Sequence, residues 1–344
     1  IHIPFLRHLT EDADYHINLE VKLKSDCVWA KAGHVVATEQ FLLKERKRKS
    51  EMSEPSEPLQ VIEERQYIRF RAPGTEVSFD SKTGMMIALR YDGQNLIHRQ
   101  QGPSLNWYRS INNDPREWIQ PVIALRGFDW KMAEDGKSAS ILSEIEVKVG
   151  KVTVPYTVRY QVHSNGVVDV AADFTTGSNF DLPRLALQMF LNPSLEQVEW
   201  YGRGPMENYR DRKNAAYVGR YQTTVTDMAE HYARAQTMGG RTDTRWLSLT
   251  DDRGKGLKIT ATDTVDFSVQ HYTDKDLWQV KYGHDLPDIR RAEVVLNLDC
   301  IQRGLGNASC GPGPRPHYEI RKDTVYSYSF RMELSLIHIS EPTR

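Results

Sequence analysis

The sequence predicts an all-β chain of antiparallel sheets, and three observations carry that prediction. Apolar and polar residues alternate with period two through several long runs. Hairpin turn chemistry sits between two of those runs. Helix signals are few and never alternate regularly with strands. A strand sends successive side chains to opposite faces, so alternation marks one buried and one wet face. Antiparallel sheets show this pattern; parallel sheets buried on both faces do not.

The first run is Tyr15, Ile17, Leu19, Val21 and Leu23, set between polar residues. The second is Val152, Val154, Tyr156, Val158, Tyr160 and Val162. Ser164, Asn165 and Gly166 then supply a turn, because Asn and Gly accept positive φ. Pro155 interrupts the second run and predicts an edge strand or a bulge. The third run is Tyr326, Tyr328, Phe330, Met332 and Leu334. Residues 226–236 have a Thr/Asp start and an Ala-rich body, which predicts one short helix. Residues 273–282 are a weaker helix candidate. A (β/α)₈ barrel needs eight helices within about 250 residues, and this chain cannot supply them.

A chain of 344 residues allows two or three domains with real cores. Its 45 basic and 46 acidic residues leave a net charge of -1, which excludes a nucleic-acid binder held by bulk charge. No apolar stretch reaches the roughly 20 residues of a membrane helix. Cys27, Cys300 and Cys310 are too few for a disulfide framework, and none has zinc-ligand spacing. They do not decide the compartment.

Composition divides the chain. Residues 44–58 are charged, contain Pro and Ser, and are nearly free of apolar side chains, so 44–65 reads as a linker. The basic run at 44–49 belongs to it, beside Glu51, Glu54 and Glu57. This gives a β segment at 1–43 and a large β domain at 66–334 that must stack two sheets. The chain opens on Ile1 with strand-like sequence close behind, as a fragment would. Residues 335–344 have no periodicity, resemble a translated sequencing adapter, and are expected to be an unstructured, non-native tail.

Four stretches concentrate polar chemistry: "WAKAGHVVATEQ" from Trp29, "GPSLNWYRSINND" from Gly102, "WYGRGPMENYRDR" from Trp200 with "GGRTDTRW" from Gly239, and "NLDCIQRGLGNASCGPGP" from Asn297. In the third, Arg203, Glu207, Arg210, Asp211 and Arg212 surround Gly202, Gly204 and Pro205. Carboxylate–guanidinium forks would make it a salt-bridged turn, or else a polar face for a sugar or a neighbouring domain. A retaining glycosidase needs two carboxyl groups about 5–5.5 Å apart. Glu207 and Asp211 are close in sequence, but spacing cannot place them across a cleft, so ion pairing is the expected role. The Gly-rich fourth stretch lacks the Gly-Lys-Ser/Thr of a phosphate loop. Cys310 has no identifiable base beside it.

In this order the stretches resemble the C-terminal part of the large bacterial β-galactosidases of glycoside hydrolase family 2. "GPMENYRDR" is similar to a family segment Gly-Pro-x-Glu-Asn-Tyr-x-Asp-Arg. "WAKAGHVVATEQ", "GGRTDTRW" and "QRGLGNASCGP" are similar to further family segments, and the likeness runs over residues 10–334. The resemblance implies the end of an immunoglobulin-like β-sandwich at 1–43, then an antiparallel β-supersandwich of the galactose-mutarotase-like kind at 66–334. It places the catalytic glutamates in an upstream barrel, so no catalytic residue is assigned here. It implies that the late Gly-rich loop reaches the substrate mouth, with Asn307, Ser309 and Cys310 as sugar-contact candidates. Cys310 stands where a well-known member has Trp, and a thiol cannot stack on a sugar as an aromatic face does. Near the mouth it implies Arg109, Asn113 and Asp114, and the segment Glu207, Asn208, Tyr209, Asp211 and Arg212.

The expected function is therefore the non-catalytic C-terminal portion of a retaining β-galactosidase acting on terminal β-D-galactosides. No cofactor is expected in this portion; the parent is expected to use Mg²⁺ and a monovalent cation, Na⁺ or K⁺. Expected partners are a β-galactoside, the upstream barrel and further copies in a homo-oligomer, with neither nucleic acid nor membrane. One alternative is an autonomous carbohydrate-binding module with Trp107, Tyr108, Trp118, Trp246 or Trp278 as platform. Another is a mutarotase-like isomerase using His163, His271, His284 or His317 as acid and base.

Overall fold

The computed structural model describes residues 9–11, 13–46, 57–112, 114, 121–178, 182–307 and 311–336. The chain divides into two compact units, Ile1–Glu54 and Pro55–Arg344.

In the first unit, β1 (Tyr15–Lys22) and β2 (Val35–Lys44) form an antiparallel hairpin with Ile17 opposite Phe41. Its long turn is held by Asp26, which accepts from the Ala32 amide at 2.9 Å and from Lys31 Nζ at 2.6 Å. Leu19, Val21 and Phe41 remain exposed.

In the second unit, a five-stranded meander joins β3 (Gln60–Glu64), β4 (Tyr67–Ala72), β5 (Thr75–Asp80), β6 (Met85–Tyr91) and β7 (Gln94–Asn95). A second sheet of twelve strands contains β8 (Ser104–Asn106), β9 (Val122–Met132), β10 (Ser138–Val149), β11 (Val152–His163), β12 (Val168–Thr175) and β13 (Arg184–Leu191). It continues with β14 (Gln197–Gly204), β15 (Tyr217–Thr224), β16 (Arg241–Thr250), β17 (Lys255–Gln270), β18 (Val294–Gln302) and β19 (Val325–Leu336). Among the described residues all pairings of this sheet are antiparallel, and its main path runs β15-β14-β16-β17-β19-β12-β11-β10-β9. β17 pairs with β19 over Lys255–Ala261 and with β18 over Asp266–Gln270, so the sheet branches there to β18, β13 and β8.

The all-β antiparallel expectation holds. Val154, Tyr156, Val158, Tyr160 and Val162 of β11 all point inward. The two sheets meet through aromatic edges: Phe70 lies 5.5 Å from Trp130, and Phe79 lies 5.0 Å from Tyr160, between ring centroids. Burying each such ring contributes about 1.5–3 kcal/mol before chain entropy is counted. The turn after β11 forms as expected: Gly166 takes φ +84°, and Asn165 Oδ1 accepts from the Val167 amide at 3.1 Å.

Four expectations need correction. Residues 226–236 are not an α-helix; only Thr226–Met228 make a 3₁₀ turn. The Met228 carbonyl accepts from Gln270 Nε2 and the Ala233 carbonyl from the Gly283 amide, so acceptors a helix would use serve other segments. The weaker candidate does form: α1 (Asp274–Gln279) starts on a capping box between Thr273 and Asp276. β11 is not an edge strand, but its pairing with β12 begins at Tyr156, so Pro155 has only β10 beside it. The linker is shorter than 44–65, because Val61 and Ile62 lie in β3, paired with β4. The tail begins later than residue 335, because β19 carries Ser335 and Leu336 opposite Gly256 and Lys255; residues 337–344 lie outside the described residues.

Candidate functional site

Three of the four polar stretches come together within the second unit. They are joined by hydrogen bonds that span from 30 to almost 200 positions of chain. The "WAKAGHVVATEQ" stretch lies in the β1–β2 hairpin of the first unit.

Just after β8, the Arg109 side chain is wholly buried and forks onto Asp114, with Nε to Oδ2 at 2.8 Å and Nη2 to Oδ1 at 3.2 Å. Arg109 Nη1 donates to the Arg303 carbonyl at 2.6 Å, and Arg303 Nη2 donates back to Asp114 Oδ1. One buried carboxylate thus receives two guanidinium groups, and the segment after β18 is pinned to the segment after β8. Such charge-assisted, bidentate bonds fix geometry strongly.

The segment after β14 starts with a cis Gly204–Pro205 bond and supplies the next links. Asp211 accepts from the amides of Leu305 at 3.0 Å and Gly306 at 2.8 Å. Arg212 Nη2 donates to the Gly306 carbonyl. A Cβ on Gly304 would lie 2.9 Å from the Asp211 carboxyl carbon, so only glycine fits this approach. Beyond it, the Asn307 amide donates to the Pro312 carbonyl at 3.0 Å, and the Gly311 amide donates to the Asn307 carbonyl at 2.6 Å.

Glu207 is bound differently. Its Oε2 accepts from the Tyr209 hydroxyl at 3.0 Å and the Gly239 amide at 2.9 Å, and its Oε1 accepts from the Tyr232 hydroxyl. Burial, and then the Glu207 charge, hold the Tyr209 hydroxyl well above its ordinary pKa. Asn208 Oδ1 accepts from the Thr242 amide at 3.0 Å and the Thr242 hydroxyl at 2.6 Å. Asp243 takes Arg203 Nε at 2.5 Å and Lys213 Nζ at 2.8 Å. Those cations outweigh the burial that would raise it, and its pKa is lowered.

The expected forks inside "GPMENYRDR" are therefore corrected: among the described residues neither Glu207 nor Asp211 makes an ion pair. Tyr hydroxyls and backbone amides reach their oxygens first. Arg109, Asp114, Asn208 and Tyr209 are buried and shape the loops from beneath. Asn307 is exposed at the loop tip. Asn113, Ser309 and Cys310 lie outside the described residues.

Two groups escaped the sequence reading. Arg184 is fully buried and forks onto Asp299, with Nη1 on Asp274 at 2.9 Å. A lone charged residue in the strand "RLALQMFL", polar elsewhere only at Gln188, was the available signal. Arg241 is buried over the Trp200 ring at 5.3 Å, and its Nε has no partner among the described residues. Burial lowers its pKa.

The aromatic platform candidates Trp107, Tyr108, Trp246 and Trp278 are all partly buried, and Trp118 lies outside the described residues. His163 meets Asp169 at 3.0 Å, His271 meets Glu196 at 3.0 Å, and His284 meets Asp285 at 3.3 Å. His317 packs on Tyr318. Among the described residues, no three His, Cys, Asp or Glu side chains gather as metal ligands, and no helix is long and apolar enough to cross a membrane.

Residues 71–332 match the family model described as "Beta galactosidase small chain", and residues 1–44 match "Beta-galactosidase, domain 4". A β-galactosidase of Priestia megaterium is 23% identical over 96% of this chain and 32% of its own length. One of Halalkalibacterium halodurans is 25% identical over 96% of this chain and 34% of its own length. The chain thus spans about a third of the length of these curated relatives. Among solved structures, the GalM/aldose epimerase homologue from C. elegans is 11% identical over 81% of this chain and 99% of its own, with a TM-score of 0.45.

Proposed function

The chain belongs to the β-galactosidase small-chain family, and from that premise we propose that it is the non-catalytic C-terminal portion of a retaining β-galactosidase hydrolysing terminal β-D-galactosides. Its role is to shape the substrate mouth and to support a catalytic barrel encoded outside these residues. The observation that carries this reading is the convergence of Arg109, Asp114 and the 205–212, 239–243 and 303–307 segments into one hydrogen-bonded platform. A platform locked through buried Arg109 and Asp114 can hold an exposed Gly-rich loop in a fixed position against a substrate.

Glu207 and Asp211 are poor candidates for hydrolysis. A retaining pair needs one carboxylate free to attack and one carboxylic acid free to protonate the leaving oxygen. Glu207 is taken up by three protein donors, and Asp211 by two amides. The Mg²⁺ and monovalent cation expected of the parent are proposed to be held mostly in its barrel. In the parent, this portion would meet the β-galactoside, the barrel and further copies of the enzyme.

Hydrolysis of a chromogenic aryl β-galactoside tests this in two arms. The purified chain is assayed with and without Mg²⁺, and no turnover is expected. A chimera carrying this chain in place of the matching third of the Priestia megaterium relative is expected to turn over. Turnover by the chain alone would overturn the division of roles, and so would a folded but inactive chimera.

A further inference from the structure

The twelve-stranded sheet ends on β9, whose one strand neighbour among the described residues is β10. No backbone bond ties its other edge to the chain among the described residues. Such an edge presents a row of amides and carbonyls that a further strand can complete. We propose that β9 of a second copy of this chain completes it, antiparallel, about a two-fold axis through Trp130.

The first support is the state of the edge itself. β9 is 11 residues long and holds no proline. A bulge opposite Glu144 and Ile145 leaves Arg126 without a cross-strand partner, so residues 127–132 are its regular part. The Trp130 amide donates to Oδ1 of its own neighbour, Asp129, at 2.9 Å. A local side chain satisfies a backbone amide in this way where no strand lies beside it. The inner face is also incompletely covered. Ile141 and Val147 of β10 are buried, whereas Trp130, opposite Ile141, is partly buried and Ile123, opposite Val147, is 62% exposed. A strand laid along β9 would cover both.

The second support is charge, and it sets the register. Opposite residues of an antiparallel pair share a face, so a two-fold axis perpendicular to the sheet passes through a residue position. Asp129 and Lys131 are exposed on the outer face, and neither is spent on an ion pair among the described residues. An axis at Trp130 sets Asp129 of each copy opposite Lys131 of the other, and Phe128 opposite Met132. An axis at Asp129 or at Lys131 would set like charges face to face instead. Cross-strand pairs favour unlike charges and disfavour like ones. Across the Trp130 axis the two Trp130 residues exchange amide and carbonyl, which releases Asp129 for Lys131. The contact uses the same patch on both copies and closes at two.

This pairing deepens the proposal of further copies in the parent by naming a surface for them. It is measured on this chain without hydrolysis, so the two readings fail separately.

The test is sedimentation equilibrium of the full chain from about 5 µM to about 500 µM, the range of a small interface. A monomer–dimer equilibrium is expected. Asp129→Lys alone and Lys131→Glu alone each set like charges opposite one another, and each is expected to weaken the dimer about tenfold. The combined variant restores unlike charges in the same register and is expected to recover the affinity of the parent chain. An equimolar mixture of the two single variants is expected to form a mixed dimer, because every opposed pair is then unlike. Both side chains are exposed, so the fold is expected to survive each change, and circular dichroism checks it. A chain that stays monomeric throughout the range overturns the proposal. So does a dimer that the single variants leave unweakened, which would place association elsewhere, as on the exposed Leu19, Val21 and Phe41 of the first unit. A dimer that the single variants weaken and the combined variant does not restore overturns it as well.

Discussion

The carboxylate of Asp211 accepts the amide hydrogen of Gly306 at 2.8 Å, although the two lie 95 positions apart. A second amide, Leu305, reaches the other oxygen. Two bonds to one ionised acceptor hold the start of the Gly-rich loop, and bonds to charged groups contribute about 1.5–3 kcal/mol each.

Asp211→Ala is therefore expected to loosen residues 304–307 while leaving the sheets intact. Native-state hydrogen exchange at the Leu305 and Gly306 amides should accelerate at least tenfold, with amides of β17 and β19 unchanged. Equal protection in variant and parent chain would show that the loop is held by something other than this carboxylate.

Arg184 carries a heavier penalty. It is enclosed with Asp299 and Asp274; Arg184 also donates to Ser268 Oγ, Asn106 and Thr237 donate to Asp274, and Gln302 donates to Asp299. Arg184→Leu leaves two carboxylates buried without their cation, which costs about 3–5 kcal/mol. Urea unfolding should show that loss in the midpoint. Arg184→Leu combined with Asp299→Leu and Asp274→Asn is expected to recover part of it. A single variant within about 1 kcal/mol of the parent chain would mean the cluster is reached by water.

The strands were legible because alternation is a local property. Val152 to Val162 and Tyr326 to Met332 show their buried face in the order of their letters. The segment 226–236 was misread for the complementary reason. Its Ala-rich letters favour a helix, but Gln270 and Gly283 claim its carbonyls from far along the chain. The platform was legible only as a set of separate polar stretches. Arg109 to Arg303 and Asp211 to Gly306 are long-range pairs, and nothing in either stretch alone names its partner. The ion pairs expected for Glu207 and Asp211 failed because charge type was visible while the competing amides and hydroxyls were not.

Gly240 supplies a packing test. A Cβ there would lie 2.8 Å from Tyr209 Cε1 and 3.1 Å from the Asn208 carbonyl oxygen. Both neighbours are buried and hydrogen-bonded, so neither yields readily. Gly240→Ala should cost about 1–3 kcal/mol by overpacking. Gly177→Ala, with nothing within 4 Å of the new atom, should stay within about 0.5 kcal/mol. Comparable thermal melts for the two variants would contradict this account of the 205–212 segment.

Asp266 lies opposite Asp299 in the β17–β18 register, and its Oδ1 accepts from the Asp243 amide at 3.0 Å. Burial, reinforced by the charges of Asp243 and Asp299, pushes its carboxyl from 3.8 up to about 7. Between those two values the unfolded chain releases this proton and the folded chain keeps it. The folded state then binds more protons, so this group's contribution to stability falls as pH rises from about 4 to about 7 and levels off above. Asp266→Asn keeps the acceptor oxygen for Asp243 and removes the titration. Relative to the parent chain, the variant should gain stability from pH 4 to about pH 7, by up to about 4 kcal/mol at 1.36 kcal/mol per pH unit, and hold that gain at pH 8. Urea unfolding of both chains at pH 4, 6 and 8 measures that difference. A difference that stays constant across the three would place the Asp266 carboxylate in water, charged in both states, and would remove it as a source of pH dependence.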